Sequence, residues 1–150
     1  MSDQPTTVMV FGTFDYLHAG HENLFVQARE HGDHIVAIVA RDKTVKTIKG
    51  EYPDHQEKER LENLESTRWA DQVVLGNAKD KMKVIRQNKP NIIALGYDQF
   101  AFTYNLEKML IDEKMDTKIV RLKPYRPDVY KSSIIKASRK KIENPAIMQP

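Results

Sequence analysis

The chain has 150 residues, the size of one ordinary domain, and it contains no cysteine. This composition excludes a disulfide framework, a thiolate metal site and a cysteine nucleophile, and no apolar run approaches the ~18 residues of a membrane-spanning helix. The net charge is +3, from 24 basic and 21 acidic residues, a mild bias that suits an anionic small molecule as well as a polyanion.

Five short apolar runs, rich in Val and Ile, predict five β-strands. Most of them are nearly continuous rather than alternating, which is typical of strands buried on both faces of a parallel sheet. Stretches with helical spacing separate them. The runs are 6–12, 34–40, 71–76, 91–96 and 117–122. We therefore expect a single α/β domain over residues 1–150, a doubly wound Rossmann-like fold with about five parallel strands and flexible ends at 1–6 and 143–150.

Polar, glycine-containing and basic residues follow four of the five predicted strands. In a doubly wound sheet the ligand lies beyond the carboxyl ends of the strands, near the point where the strand order reverses. We therefore expect the four segments to form one site. They read GTFDYLHAGH, RDKTVKTIKG, GYDQ and KPYRPDVYKSS, and we interpret the second as a loop that carries lysines.

The segment after the first strand predicts a phosphate site. Gly12 allows the backbone to approach a phosphate closely, and Thr13 and Phe14 can offer N–H groups in a concave arrangement. The next helix begins near Ala19, so its positive dipole end points into the same space.

His18 and His21 stand three residues apart at this helix start, so they lie on one side of it. Both rings can donate hydrogen bonds to phosphoryl oxygens. A structural interpretation stays open, in which His18 caps the helix and His21 packs. We expect no metal bound by these histidines, because the spacing offers no third ligand.

The segment GTFDYLHAGH resembles the signature of the cytidylyltransferase-like nucleotidyltransferases, a HxGH motif after a GxFD turn. The resemblance continues through IKG, RWAD, GYDQ and a Ser-Ser pair, and it covers most of residues 7–142. It implies an enzyme in which a phosphate on an acceptor attacks the α-phosphorus of a nucleoside triphosphate and pyrophosphate leaves. It also implies no covalent enzyme intermediate, and Mg²⁺ that is carried on the nucleotide phosphates.

The resemblance further implies roles for individual residues. His18 and His21 hold the triphosphate and stabilise the transition state. Lys49 reaches the phosphates of both substrates, with Lys46 as the second candidate for the acceptor's phosphate, and Arg126 is a further catalytic residue. The implied nucleotide-binding residues are Gly12, Thr13, Phe14, Asp15, Gly20, Gly96, Tyr97, Asp98, Ser132 and Ser133.

Several candidates also have structural explanations, which the sequence leaves open. Arg68 matches a family arginine near the base, but it equally suits an ion pair. Lys46 suits an exposed side chain, and the Ser-Ser pair suits a helix N-cap. Asp15 orients either the turn or a metal. We interpret Arg60 as a brace for the active-site loop and Trp69 as a core residue.

The GYDQ segment resembles archaeal-type FAD synthetases, which makes FMN the favoured acceptor. Glycerol phosphate and sugar phosphates stay open, as does the choice between ATP and CTP. A different class of protein is also open, because the basic stretch 131–141 with Tyr125 and Tyr130 upstream suits RNA. We favour the enzyme, because a pure binding module would not need both histidines. We expect a cytoplasmic homodimer, without membrane or nucleic-acid partners.

Overall fold

The computed structural model describes residues 5–96 and 99–125. Within them, five strands form one parallel sheet in the order β3-β2-β1-β4-β5. The fold class predicted from the sequence is therefore confirmed. The strands are β1 (Thr7–Gly12), β2 (His34–Val39), β3 (Gln72–Leu75), β4 (Ile92–Leu95) and β5 (Lys118–Arg121).

The five strands match the five apolar runs because burial on both faces demands uninterrupted apolar sequence. In β1, Val8 and Val10 face one side of the sheet and belong to one apolar cluster, while Met9 faces the other side and belongs to a second cluster. All three side chains are fully buried. Thr6 lies within the predicted flexible end, yet its carbonyl accepts hydrogen bonds from the N–H groups of Asp33 (3.0 Å) and His34 (3.1 Å).

Five helices connect or flank the strands in the described part of the chain. They are α1 (Ala19–Arg29), α2 (Asp42–Lys49), α3 (Glu57–Thr67), α4 (Lys83–Asn88) and α5 (Phe100–Asp112). The first begins where the sequence predicts. None of the helices in the described ranges is long and apolar enough to cross a membrane.

The helices cover both faces of the sheet. Phe25 and Ala28 of α1 and Leu64 of α3 pack in the first cluster, and Trp69 packs against it, as its interpretation as a core residue requires. Side chains of α4 and α5 fill the second cluster. The strand order runs from β1 through β2 to β3 on one side and through β4 to β5 on the other, so the order reverses between β1 and β4.

One predicted element is wrong. The segment after β2 was expected to be a loop, but it forms α2, with Asp42 in the first turn and Lys46 and Lys49 in the last. These charges complement the helix dipole, and Gly50 ends the helix at a φ of 84°. Val45 is the only buried residue of α2, but its eight residues are strongly amphipathic at the helical period, a signal that the sequence interpretation did not use.

Candidate active site

The carboxyl ends of β1 and β4 are linked by one side chain. The side-chain amide of Gln99 donates to the carbonyl of Phe11 (3.0 Å), and its oxygen accepts from the N–H of Gly96 (2.7 Å). Arg121 donates to the carbonyl of Gly96 (2.7 Å). The N–H of Gly96, which the sequence assigned to nucleotide binding, is therefore already engaged within the protein.

The loop between β1 and α1 depends on an aromatic ring that lies against the glycine. Phe14 has a φ of 54°, and its side chain is buried. A Cβ atom on Gly12 would lie 2.7 Å from Cζ of Phe14, closer than any van der Waals contact allows. The space that a side chain at position 12 would occupy is thus filled by Phe14. The Phe14 ring also contacts His21 edge-on, with 5.4 Å between centroids.

His18 and His21 form a stacked pair at the start of α1. Their ring centroids lie 3.9 Å apart with an interplanar angle of 29°. Nδ1 of His18 accepts a hydrogen bond from the N–H of Gly20 (3.0 Å), so the helix-capping role is real. Because Nδ1 is the acceptor, a neutral His18 ring carries its proton on Nε2, which makes that atom a hydrogen-bond donor.

The electrostatics of the pair favour an anionic ligand. Burial, and after it the charges of His18 and Lys49, lower the pKa of His21 from 6.5 to about 3, so this ring is neutral at pH 7. Nδ1 of His21 is buried and has no hydrogen-bond partner in the described ranges. A polyphosphate would meet a helix N-terminus and nearby positive charge.

The two candidate lysines of α2 differ in their contacts. Lys46 donates from Nζ to the carbonyl of Gly50 (2.8 Å) and lies over the ring of Tyr52, with 5.7 Å from Nζ to the centroid. Lys46 therefore stabilises the end of its own helix. Lys49, the last residue of the helix, is exposed. The structure thus favours Lys49 over Lys46 as the lysine that reaches a phosphate.

Asp15 orients the polypeptide in this structure. Its carboxylate accepts hydrogen bonds from the backbone N–H groups of Asp54 (2.8 Å) and His55 (2.9 Å) and from Nδ1 of His55 (2.7 Å). The hydroxyl of Tyr16 donates to the carboxylate of Asp54. These contacts hold the segment before α3 against the β1–α1 loop. Of the two roles that the sequence left open for Asp15, the structure supports orientation of a turn.

Arg60 is the brace that the sequence predicted. It is fully buried, and its guanidinium donates to the carbonyls of Thr13 (2.7 Å) and His55 (2.9 Å) and to the carboxylate of Asp42 (2.7 Å). One side chain therefore joins the β1–α1 loop, the start of α2 and the segment before α3. A buried guanidinium requires such partners, because unpaired charge is costly to bury.

The sequence reasoning missed several residues that support the site. Asp42 and Glu57 begin α2 and α3, and each carboxylate accepts the backbone N–H of the other residue, at 3.1 and 3.2 Å. Arg41 forms an ion pair with Glu57 (2.6 Å). An acidic residue at a helix start can be recognised in the sequence as a capping signal. The residue in another helix that it contacts cannot be recognised in the same way. His55 and Tyr16 carried no sequence signal for their contacts.

Arg68 is not brought to the histidines. It ends α3 in the left-handed conformation, with a φ of 59°, and precedes β3, so it lies at the amino edge of the sheet. A cavity of about 800 Å³ also opens at the amino ends of β1, β4 and β5. We assign the site to the carboxyl edge, because the strand order reverses there and the stacked, partly buried histidines lie there. The cavity is lined by residues that include Arg86, Lys89, Glu113 and Lys118.

The remaining predicted site residues cannot be placed. Tyr97, Asp98, Arg126, Ser132 and Ser133 lie outside the described residues. Within residues 5–96 and 99–125, no group of three or more His, Asp or Glu side chains is arranged to hold a metal ion.

The chain is similar to known proteins over most of its length. The sequence profile of the family described as cytidylyltransferase-like matches residues 9–138. A curated FAD synthase from Pyrococcus horikoshii is 37% identical, over 92% of this chain and 91% of that protein. A FAD synthase from Methanosarcina mazei is 42% identical, over 80% of this chain and 78% of that protein.

Solved structures share the fold. A lipopolysaccharide core biosynthesis protein from Thermoplasma volcanium is 35% identical, with a TM-score of 0.76, over 81% of this chain and 99% of that one. A pantoate–β-alanine ligase from Francisella tularensis is 18% identical, with a TM-score of 0.61, over 100% of this chain and 74% of that one.

Proposed function

We propose that this chain, a nucleotidyltransferase that belongs to the cytidylyltransferase-like family, uses ATP and FMN as its substrates. It transfers AMP from ATP to FMN and releases pyrophosphate. The product would be FAD. The observation that carries this choice of substrates is the identity of 37–42% to curated FAD synthases that align over most of the chain.

The reaction makes one bond and breaks one. A phosphate oxygen of FMN attacks the α-phosphorus of ATP, and the bond from that phosphorus to the oxygen bridging to the β-phosphorus breaks, with its electron pair leaving on pyrophosphate. No group of the protein becomes covalently attached. Catalysis then consists of positioning the substrates and neutralising charge that develops on phosphoryl oxygens.

The described residues supply suitable groups for this task. Nε2 of His18 carries a proton because Nδ1 accepts the N–H of Gly20, so Nε2 is a donor for a phosphoryl oxygen, and the positive end of the α1 dipole lies beside it. His21 lies stacked on His18, and its pKa would rise next to a polyphosphate. Lys49 brings positive charge towards the α-phosphate and the acceptor's phosphate. Each such donor is worth about 3 kcal/mol in the transition state.

Magnesium belongs to this proposal as part of the substrate MgATP, where it neutralises phosphate charge. In this structure the carboxylate of Asp15 is occupied by hydrogen bonds from Asp54 and His55, which agrees with an ion held mainly by phosphates.

Arg126 and the pair Ser132 and Ser133 are proposed for the β- and γ-phosphates. Tyr97 and Asp98 are proposed for the base. A cytoplasmic homodimer is part of the same proposal, in keeping with the cysteine-free sequence and the family resemblance.

A phosphorylated sugar is the second candidate acceptor. The observation that favours it is the 35% identity to the lipopolysaccharide core biosynthesis protein, which aligns over 99% of its length.

The test is a matrix of substrates. Pyrophosphate release is measured with ATP or CTP against FMN, glycerol 3-phosphate and a panel of sugar phosphates, and the products are identified by mass spectrometry. We expect release with ATP and FMN, with FAD as product. Turnover of only a sugar phosphate or glycerol phosphate would overturn the choice of FMN, and turnover with CTP alone would overturn the choice of ATP.

A further inference from the structure

The end of α2 carries exposed apolar surface beside the site. In the described part of the chain, the large apolar side chains that stay exposed are Val26, Ile48, Tyr52, Ile111 and Tyr125. Two of them, Ile48 (65% exposed) and Tyr52 (58% exposed), fall within five residues of sequence and flank Lys49. We call residues 46–52 the α2 tip. Clustered apolar exposure of this kind marks a binding surface more often than an isolated exposed side chain does.

The α2 tip is held close to the histidine pair. The segment that follows it is fixed to the β1–α1 loop, because Asp15 accepts the N–H groups of Asp54 and His55 and Tyr16 donates to Asp54. Tyr52 lies two residues before Asp54, so their Cα atoms are no more than ~7 Å apart. From the other side, Lys49 lowers the pKa of His21 through its charge.

Tyr52 also has a defined environment. Nζ of Lys46 lies 5.7 Å from the centroid of its ring, and the same nitrogen donates to the carbonyl of Gly50 (2.8 Å). The lysine is thus anchored at the helix end with its ammonium group over the ring. An aromatic side chain that is more than half exposed is suited to stacking with a flat ligand.

We propose that Ile48 and Tyr52 bind the flat heteroaromatic ring of the acceptor, with Lys49 directed to the acceptor's phosphate. This inference rests on the proposed function. It assigns to the α2 tip the selection of a flavin over acceptors that have no ring system. The chemistry is complementary, since FMN joins an apolar planar ring to a dianionic phosphate and the α2 tip joins apolar side chains to two ammonium groups. A sugar phosphate or glycerol phosphate offers nothing for Tyr52 to stack on.

The test compares Tyr52→Ala with Tyr52→Phe, which keeps the ring and removes only the hydroxyl. Binding of FMN, and of riboflavin as a probe without phosphate, is followed by quenching of flavin fluorescence, and KM values are measured for FMN and ATP. We expect Tyr52→Ala to weaken binding of both flavins about tenfold, the scale of one aromatic stacking contact. The KM for ATP and the melting temperature should stay at wild-type values, and Tyr52→Phe should bind both flavins like wild type.

Ile111→Ala serves as the matched control, because Ile111 is an exposed apolar residue on α5, away from the α2 tip. Wild-type flavin affinity in Tyr52→Ala, in an enzyme that still makes FAD, would overturn this inference and leave the proposed function standing. Equal losses for FMN and ATP would also overturn it, because they would indicate a general disturbance of the site. If wild-type enzyme neither binds flavin nor makes FAD, the proposed function itself fails.

Discussion

Substitution of His18 separates the two roles that the structure gives to this residue. Nδ1 of the ring accepts the N–H of Gly20 at 3.0 Å, while Nε2 is the atom proposed to meet a phosphate. Asparagine is among the best N-cap residues and can accept the same N–H through its side-chain oxygen. His18→Asn should therefore keep the cap and lose the phosphate donor, whereas His18→Ala should lose both.

The expected magnitudes differ enough to be measured. Loss of the cap costs ~1 kcal/mol, which lowers the melting temperature by about 2–4 °C in a domain of this size. Loss of a donor to the transition state lowers kcat by about 10²–10³. We expect both variants to show the loss in kcat, and only His18→Ala to show the loss in stability.

The assay combines thermal melting without ligand with steady-state pyrophosphate release. His31→Asn is the matched control, because His31 is exposed and follows the other end of α1. A variant His18→Asn with wild-type kcat would refute the proposed phosphate contact and leave His18 as a helix cap alone. A loss of several kcal/mol of stability in His18→Asn would equally count against the division of roles between the two ring nitrogens.

Three further outcomes are expected. Because the pKa of His21 falls to about 3 in the folded state, the unfolded chain binds a proton that the native ring does not, and stability is lost as the pH falls from ~6 to ~4. Over this range the free energy of unfolding, measured by urea denaturation, should fall by ~1.4 kcal/mol per pH unit more in wild type than in His21→Gln. Parallel curves of unfolding free energy against pH would contradict the lowered pKa of this ring. Arg60→Met should destabilise the fold by ~3–5 kcal/mol, since it leaves the Asp42 carboxylate and two carbonyls without their donor, whereas Arg29→Met at an exposed ion pair should cost less than ~1 kcal/mol. Lys49→Ala should lower kcat/KM for the acceptor tenfold or more. Lys46→Ala should lower it only slightly, because the ammonium group of Lys46 is hydrogen-bonded to the Gly50 carbonyl. Equal effects of the two substitutions would show that both lysines bind the acceptor's phosphate.

The sheet was predictable because its strands obey a strong rule. Strands covered by helices on both faces must be apolar at consecutive positions, and β1 and β2 show this directly, with Val8 to Val10 and Ile35 to Val39 buried without interruption. The helix α2 was not predictable by the same means. It is amphipathic at the helical period but only eight residues long, with one buried residue, Val45, with charges at its ends that complement the helix dipole, and with a contact to α3 that is distant in sequence.

The site was predictable as far as its chemistry is local in sequence. The histidines, the glycine turn and the helix start lie within ten residues, so a motif can represent them. Asp15 and His55 are 40 residues apart, and Arg60 and Thr13 are 47 apart. Contacts between residues so far apart in sequence can be identified only once the fold is known. Arg68 matches a family arginine near the base in sequence, but the strand direction places it at the amino edge of the sheet, so the structure does not bring it to the histidines.

The two sides of the site are built with different rigidity, and this has a consequence for substrate choice. The phosphate side is preorganised, since Arg60, Asp15 and the His18 cap each hold the β1–α1 loop through buried or partly buried hydrogen bonds. The α2 tip exposes Ile48 and Tyr52 to solvent. Substitutions of the bracing residues Arg60 and Asp15 therefore threaten the fold, while substitutions of Ile48 and Tyr52 leave it intact. An enzyme built in this way can exchange one phosphorylated acceptor for another by changing a few exposed side chains while its handling of the triphosphate stays the same.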